Sequence, residues 1–218
     1  MNYSAVIFDM DGLLINSEPY WEQAGEETLA QYGVTLSQDQ YHSTTGLRTR
    51  EWVDWWFSWF DIDKKYAAEA EKIIVTKAIE KIRLYGKALP GADYIFDFFR
   101  EKNFKIGIAT SSPVELVNVV AEKLNIRNYL QSVSSAEELN FGKPHPQVYL
   151  NCANELNTSP LHCICFEDSF NGMIAAKAAR MKCVVVPAPH QHDETRWDAA
   201  DIKLQSLLQF NQQALEGL

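Results

Sequence analysis

Four short stretches of unbroken apolar residues constrain this chain more than any other feature: Ala5-Val6-Ile7-Phe8, Ile106-Gly107-Ile108-Ala109, Cys163-Ile164-Cys165-Phe166 and Cys183-Val184-Val185-Val186. A strand with one wet face alternates apolar and polar residues. A strand with no alternation is covered on both faces, as in a parallel sheet. Weaker strands are predicted from Leu130 to Ser134 and from Ile202 to Leu204. Helical patterns separate the strong runs, over Ala92–Glu101, Pro113–Leu124, Pro146–Glu155 and Phe170–Ala179. Strand alternating with helix predicts an α/β fold built on a doubly wound parallel sheet.

One interval breaks this rhythm. From Asn16 to Tyr85 no strand is evident, and helical periodicity runs through Pro19–Tyr32, Arg48–Phe60 and Lys64–Leu84. That is too long for one crossover, so an all-helical insertion is expected over 16–85, with 1–15 and 86–218 forming the α/β domain. Its exits, Ile15-Asn16-Ser17 and Tyr85-Gly86-Lys87, are plausible hinges, since Gly86 tolerates backbone change. A length of 218 residues suits one domain carrying an insertion, at roughly 150 residues per domain.

Composition narrows the function. With 46% hydrophobic residues and 12% aromatics the chain belongs to folding proteins. No apolar run approaches the ~18 residues of a membrane helix, so no membrane association is expected. A net charge of −9 speaks against a nucleic-acid partner, which would need a basic stripe. It also means that an anionic substrate needs local cations. The opening Met1-Asn2-Tyr3-Ser4 lacks a basic region, so no leader is expected. Cys152, Cys163, Cys165 and Cys183 have no zinc or disulfide spacing and read as reduced, packed thiols of a cytoplasmic protein. A monomer is expected.

In open α/β sheets ligands bind beyond the carboxyl ends of the strands. The first strand ends in Asp9-Met10-Asp11-Gly12, whose two carboxylates can face one site at i and i+2. Paired carboxylates raise each other's proton affinity unless a cation lies between them. An acidic turn is the alternative; a full calcium loop would need a later Glu that is missing. The second strand ends in Thr110-Ser111-Ser112-Pro113-Val114-Glu115. Ser112 and Glu115 are spaced as a capping box with Pro113 at the first helical position, which gives either a phosphate-binding helix start or simply a well-capped helix. Lys143 precedes Pro144 and sits on a loop, either at the site or solvated. The third strong run ends in Glu167-Asp168-Ser169, metal ligands or helix caps. Carboxylates, a hydroxyl and a Lys at one sheet edge together describe a magnesium-assisted phosphoryl site.

The order D-x-D-G, Thr-Ser, Lys-Pro and Glu-Asp-Ser resembles the four motifs of the haloacid dehalogenase superfamily of phosphatases, and the helical insertion resembles its cap on a Rossmann-like core. Lys143-Pro144-His145-Pro146-Gln147-Val148-Tyr149-Leu150 and Glu167-Asp168-Ser169-Phe170-Asn171-Gly172 are similar to the sugar-phosphatase branch, which includes phosphatases of hexitol phosphates and 2-deoxyglucose 6-phosphate. The resemblance implies a small phosphorylated substrate. It implies Asp9 as nucleophile, Asp11 as general acid/base, and Thr110, Ser111 and Lys143 on the phosphate. It places Mg²⁺ on Asp9, the Asp11 carbonyl and Asp168, with Glu167 assisting directly or through water. Asn16 departs from the Asp common in relatives. Trp21 stands where related β-phosphoglucomutases carry His, which counts against an isomerase. A signalling receiver would take its nucleophile from a later strand and lack the cap. A dehalogenase would lack the second Asp.

Specificity is expected from the cap. Trp52, Trp55, Trp56, Trp59 and Phe60 fall on one helical stripe, read as core packing or as rings over a sugar. Arg48, and with it Arg50, is the expected cap contact to substrate hydroxyls or phosphate, or else a solvated helix-surface charge.

Overall fold

The computed structural model describes residues 3–218. Met1 and Asn2, part of the opening segment read above for a leader, lie outside the described residues. Strand β1 is Ala5–Phe8. Helices α1 (Glu18–Leu29), α2 (Gln38–Ser43), α3 (Thr49–Trp59), α4 (Ala67–Tyr85) and α5 (Ala92–Glu101) follow before β2 (Lys105–Thr110). The chain continues through α6 (Val114–Lys123), β3 (Ser132–Ser135), α7 (Gln147–Glu155), β4 (Cys163–Glu167) and α8 (Phe170–Ala178). It closes with β5 (Lys182–Val185), β6 (Ile202–Lys203) and α9 (Gln212–Glu216).

The six strands form one sheet in the order β3-β2-β1-β4-β5-β6, and every pairing is parallel. The order runs outward from β1 in both directions. The strand ends of β1 and β4 therefore flank the crevice where a doubly wound sheet binds ligands. Successive side chains point to opposite faces. Val6, Phe8, Ile106, Ile108, Ile164, Phe166 and Val184 pack with Phe96, Phe99 and Leu116 on one face. Ala5, Ile7, Cys163, Cys165 and Cys183 pack with Tyr149, Cys152 and Met173 on the other. Both faces are dry, which is why the strands read as unbroken apolar runs. All four cysteines are free and buried.

The sequence readings shift in places. The strand expected from Leu130 begins at Ser132, because Arg127–Tyr129 closes a 3-10 turn and the Gln131 side chain accepts from the Ile106 N–H at 2.7 Å. The short α2 was not foreseen, although Ser37 and Gln40 form a capping box at its start. The stripe on α3 splits. Its buried face is Trp52, Val53, Trp56 and Phe57, which leaves Trp55 53% and Trp59 64% exposed. Core packing is therefore wrong for those two rings: the buried seam is rotated about the helix axis from the one expected. We propose 16–85 as a cap and 1–15 with 86–218 as the core, since α1 and α3 both pack on α4. No helix among the described residues is long and apolar enough to cross a membrane.

Candidate active site

The carboxyl end of β1 carries Asp9, and that of β4 carries Glu167 and Asp168. All three are buried, and one oxygen from each lies within 4.8 Å of the others. Lys143 enters this cluster fully buried. Its ammonium donates to Asp9 Oδ1 and to Glu167 Oε1, both at 2.6 Å. Burial alone would lower the Lys143 pKa; the two carboxylates outweigh it and hold the group charged. The converse holds for Asp9. Burial is the largest influence and, with Glu167 and Asp11 nearby, pushes it up to about 8 despite Lys143. Asp168 is also raised, by burial first and then by Asp9 and Glu167. One lysine does not balance three buried carboxylates.

Glu167 is held from all sides. Oε1 accepts from Lys143 and from the Tyr149 hydroxyl. Oε2 accepts from the Asp168 and Ser169 amides at 3.1 Å and from Ser169 Oγ at 3.0 Å. Ser169 also caps α8 by accepting from Gly172 N. Two glycines permit this crowding. A Cβ on Gly172 would lie 1.8 Å from Glu167 Oε1, and one on Gly12 would lie 2.0 Å from Asp168 Oδ2. Gly12 has φ +70°, as its turn requires.

Asp11 is held separately. Trp21 Nε1 on α1 donates to its Oδ1 at 3.0 Å, and Ser112 Oγ donates to its Oδ2 at 2.7 Å. The expected capping box is therefore absent. Pro113, not Ser112, is the N-cap residue of α6, and Glu137 Oε2 takes the Val114 N–H at 3.2 Å. Ser112 Oγ is turned instead toward the half-buried Asp11 carboxylate, to which it donates a charge-assisted hydrogen bond. Thr110 accepts from Ser112 N at 3.0 Å, and Ser111 Oγ donates to Gly46 O at 2.8 Å.

These groups line a cavity, with Asp9, Asp11, Thr110, Ser111, Lys143 and Asp168 below. Glu18, Trp21, Tyr41, Thr44, Thr45 and Trp52 lie above. Glu18 was missed in the sequence, where an acid in the first turn of a helix reads as a dipole complement. Its signal was position: the helix starts beside the end of β1. Burial, with Asp11 and Asp9 adding, pushes Glu18 up to about 8. Arg48 is a correction. It does not line the cavity; its guanidinium donates to the Ala136, Leu139 and Asn140 carbonyls and to Glu51. Arg50 pairs with Glu71 at 3.3 Å, largely exposed. Of the expected residues, Asp9, Asp11, Thr110, Ser111, Lys143, Glu167 and Asp168 converge and Arg48 does not.

A model of haloacid dehalogenase-like hydrolases matches residues 3–180. Hexitol phosphatase B of Escherichia coli strain K12 is 39% identical over 214 residues, 98% of this chain and 96% of that one. The phosphorylated carbohydrates phosphatase of Thermotoga maritima is 32% identical over 178 residues, 80% of this chain and 81% of that one. A solved β-phosphoglucomutase from Clostridium difficile matches with TM-score 0.87 at 22% identity, covering 98% of this chain and 96% of that one, a likeness of fold.

Proposed function

This chain belongs to the haloacid dehalogenase-like hydrolases, and from that premise we propose how it works as a phosphatase of small sugar phosphates and which substrates it prefers. It hydrolyses phosphoric monoesters, in keeping with its phosphatase relatives. The observation that carries the mechanism is the buried Asp9–Lys143–Glu167 arrangement at the mouth of β1 and β4.

Asp9 Oδ attacks phosphorus, a P–O bond to Asp9 forms, and the bond to the leaving alcohol breaks. Asp11 gives that alkoxide its proton. Water then attacks the aspartyl phosphate, Asp11 takes the water's proton, and Asp9 is released as carboxylate. Trp21 and Ser112 hold Asp11 at a fixed angle for both transfers. Lys143 offsets the charge of phosphate brought among carboxylates, and Thr110 and Ser111 line its seat. The donor set fits a hard divalent cation, because Asp168 is buried beside Asp9 with no hydrogen-bond donor on its carboxylate among the described residues. Asp9, Asp168 and the Asp11 carbonyl would hold Mg²⁺, which supplies electrostatic stabilisation of the transferring phosphoryl group. Glu167, saturated with hydrogen bonds, serves to fix Lys143.

Among the described residues Lys143 is the single cation lining the cavity, whose roof is hydroxyls, aromatic rings and Glu18. That suits a substrate with one phosphate and a neutral polyol, such as a hexose or hexitol 6-phosphate, and disfavours a second anionic group. The test is phosphate release across a panel of monophosphates and bisphosphates of the same sugars. Hexitol and hexose monophosphates are expected to be turned over and bisphosphates poorly. Conversion of β-glucose 1-phosphate into glucose 6-phosphate without phosphate release would overturn the reading in favour of an isomerase.

A further inference from the structure

The loop that delivers Lys143 runs over 136–142 from the end of β3, and its own backbone bonds are few among the described residues: Ala136 N to Thr110 O, Leu139 N to Ala136 O and His145 N to Gly142 O. Much of its hold comes from the helical insertion. Arg48, at the start of α3 and 6% exposed, donates through Nη1 to Ala136 O at 2.9 Å and to Leu139 O. Its Nη2 donates to Asn140 O at 3.3 Å and to Glu51 Oε1 at 2.8 Å. Glu51 Oε1 in turn accepts from Gly142 N at 2.9 Å, the amide next to Lys143. One arginine and one glutamate from the cap thus grip three carbonyls and an amide of the core. The grip is close: a Cβ on Gly142 would lie 2.5 Å from Glu51 Oε2 and 2.8 Å from Arg48 Cγ.

We propose that Arg48 and Glu51 are positioning residues that make the placement of the Lys143 ammonium depend on the cap lying against the core. The proposal rests on the phosphatase reading for the role of Lys143. Both Nη groups of Arg48 are committed to carbonyls and a carboxylate, and its Nε is buried without a partner among the described residues and away from the cavity lining, so the guanidinium is not presented to an anionic substrate. Glu51, an anion itself, has no use as a phosphate ligand, so its pairing serves the loop. When the cap swings away, these bonds break together and the loop loses its outer support. Lys143 is then competent only when the cap is shut, the state that excludes water from the attack on phosphorus.

The test uses the full chain with Arg48→Ala, Glu51→Ala, Glu51→Gln, Gly142→Ala and the Arg48→Ala/Glu51→Ala double variant. Steady-state kinetics on a hexitol 6-phosphate are read beside hydrogen exchange over 137–142. Arg48→Ala, Glu51→Ala and Gly142→Ala are each expected to lower kcat on the order of tenfold or more with little change in KM. The double variant is expected to be no worse than either single, as for a unit. Exchange over 137–142 speeds up while β1 and β4 stay protected. Glu51→Gln restores activity, because its amide oxygen still accepts from Gly142. Wild-type kcat in Glu51→Ala and Gly142→Ala, with KM raised in Arg48→Ala alone, would overturn the proposal and make Arg48 a substrate contact. A lowered Tm with kcat intact in all of them would reduce the pair to structural support. Should Arg48→Ala fail to fold, the Glu51 and Gly142 variants decide by the same criteria. A wild-type enzyme without phosphatase activity would contradict the phosphatase reading instead, while the exchange data still test the grip.

Discussion

Asp9, Asp11, Lys143, Glu167 and Asp168 were legible because each follows or precedes a recognisable strand end or loop, and strand ends converge in this topology. Ser112, Glu18 and Arg48 were not. Ser112 has a conventional local reading as a cap, and only the fold brings Asp11 to it from 101 positions away. Arg48 meets carbonyls 88 to 92 residues distant, which no local pattern encodes. Two expected outcomes belong to this scale. Asp9→Asn, which keeps the side chain's shape, should leave the protein folded by circular dichroism and abolish phosphate release. Gly172→Ala drives a methyl into the Glu167 carboxylate. It should lower kcat/KM roughly 10²-fold by moving Glu167, and through it Lys143.

Among the elements, strands were read with most success, because burial on both faces leaves an unmistakable apolar run. The helix α3 shows the limit. Five aromatics at helical spacing identify a helix, but which arc turns inward depends on α4 and α1 packing against it. Trp56, 2% exposed, and Trp55, 53% exposed, are adjacent in sequence and opposite in consequence. Trp56→Ala should cost about 3–5 kcal/mol by chemical denaturation, and Trp55→Ala should stay within about 0.5 kcal/mol. At the β5–β6 edge, burial alone would raise the Asp201 pKa. Hydrogen bonds from Lys177, Lys182 and the Cys183 amide outweigh it and hold the carboxyl below its ordinary value. A depressed folded-state pKa contributes stability above the unfolded value, near ~3.9, that is lost as pH falls through the folded value. Asp201→Asn should therefore be less stable than wild type by about 1–3 kcal/mol at pH 7. The difference should close below about pH 4 in denaturation curves measured across pH.

At the scale of the whole molecule, we propose that an acidic chain binds an anion through one buried lysine and a carboxylate pair able to hold a cation where β1 and β4 end. Activity should vanish in a chelator and return with Mg²⁺. Ca²⁺ should restore it poorly, since its longer, more numerous bonds (~2.3–2.6 Å) would draw both Asp9 oxygens away from phosphorus. Full turnover in EDTA would refute the metal's part. The central claim, that Asp9 carries the phosphoryl group from sugar to water, is tested most directly by rapid-quench mass spectrometry during turnover of a hexitol 6-phosphate. The account predicts one phosphoryl group on the peptide containing Asp9, formed before inorganic phosphate accumulates and missing in Asp9→Asn. Phosphate release at the wild-type rate from Asp9→Asn, with no phosphorylated peptide in either protein, would contradict it.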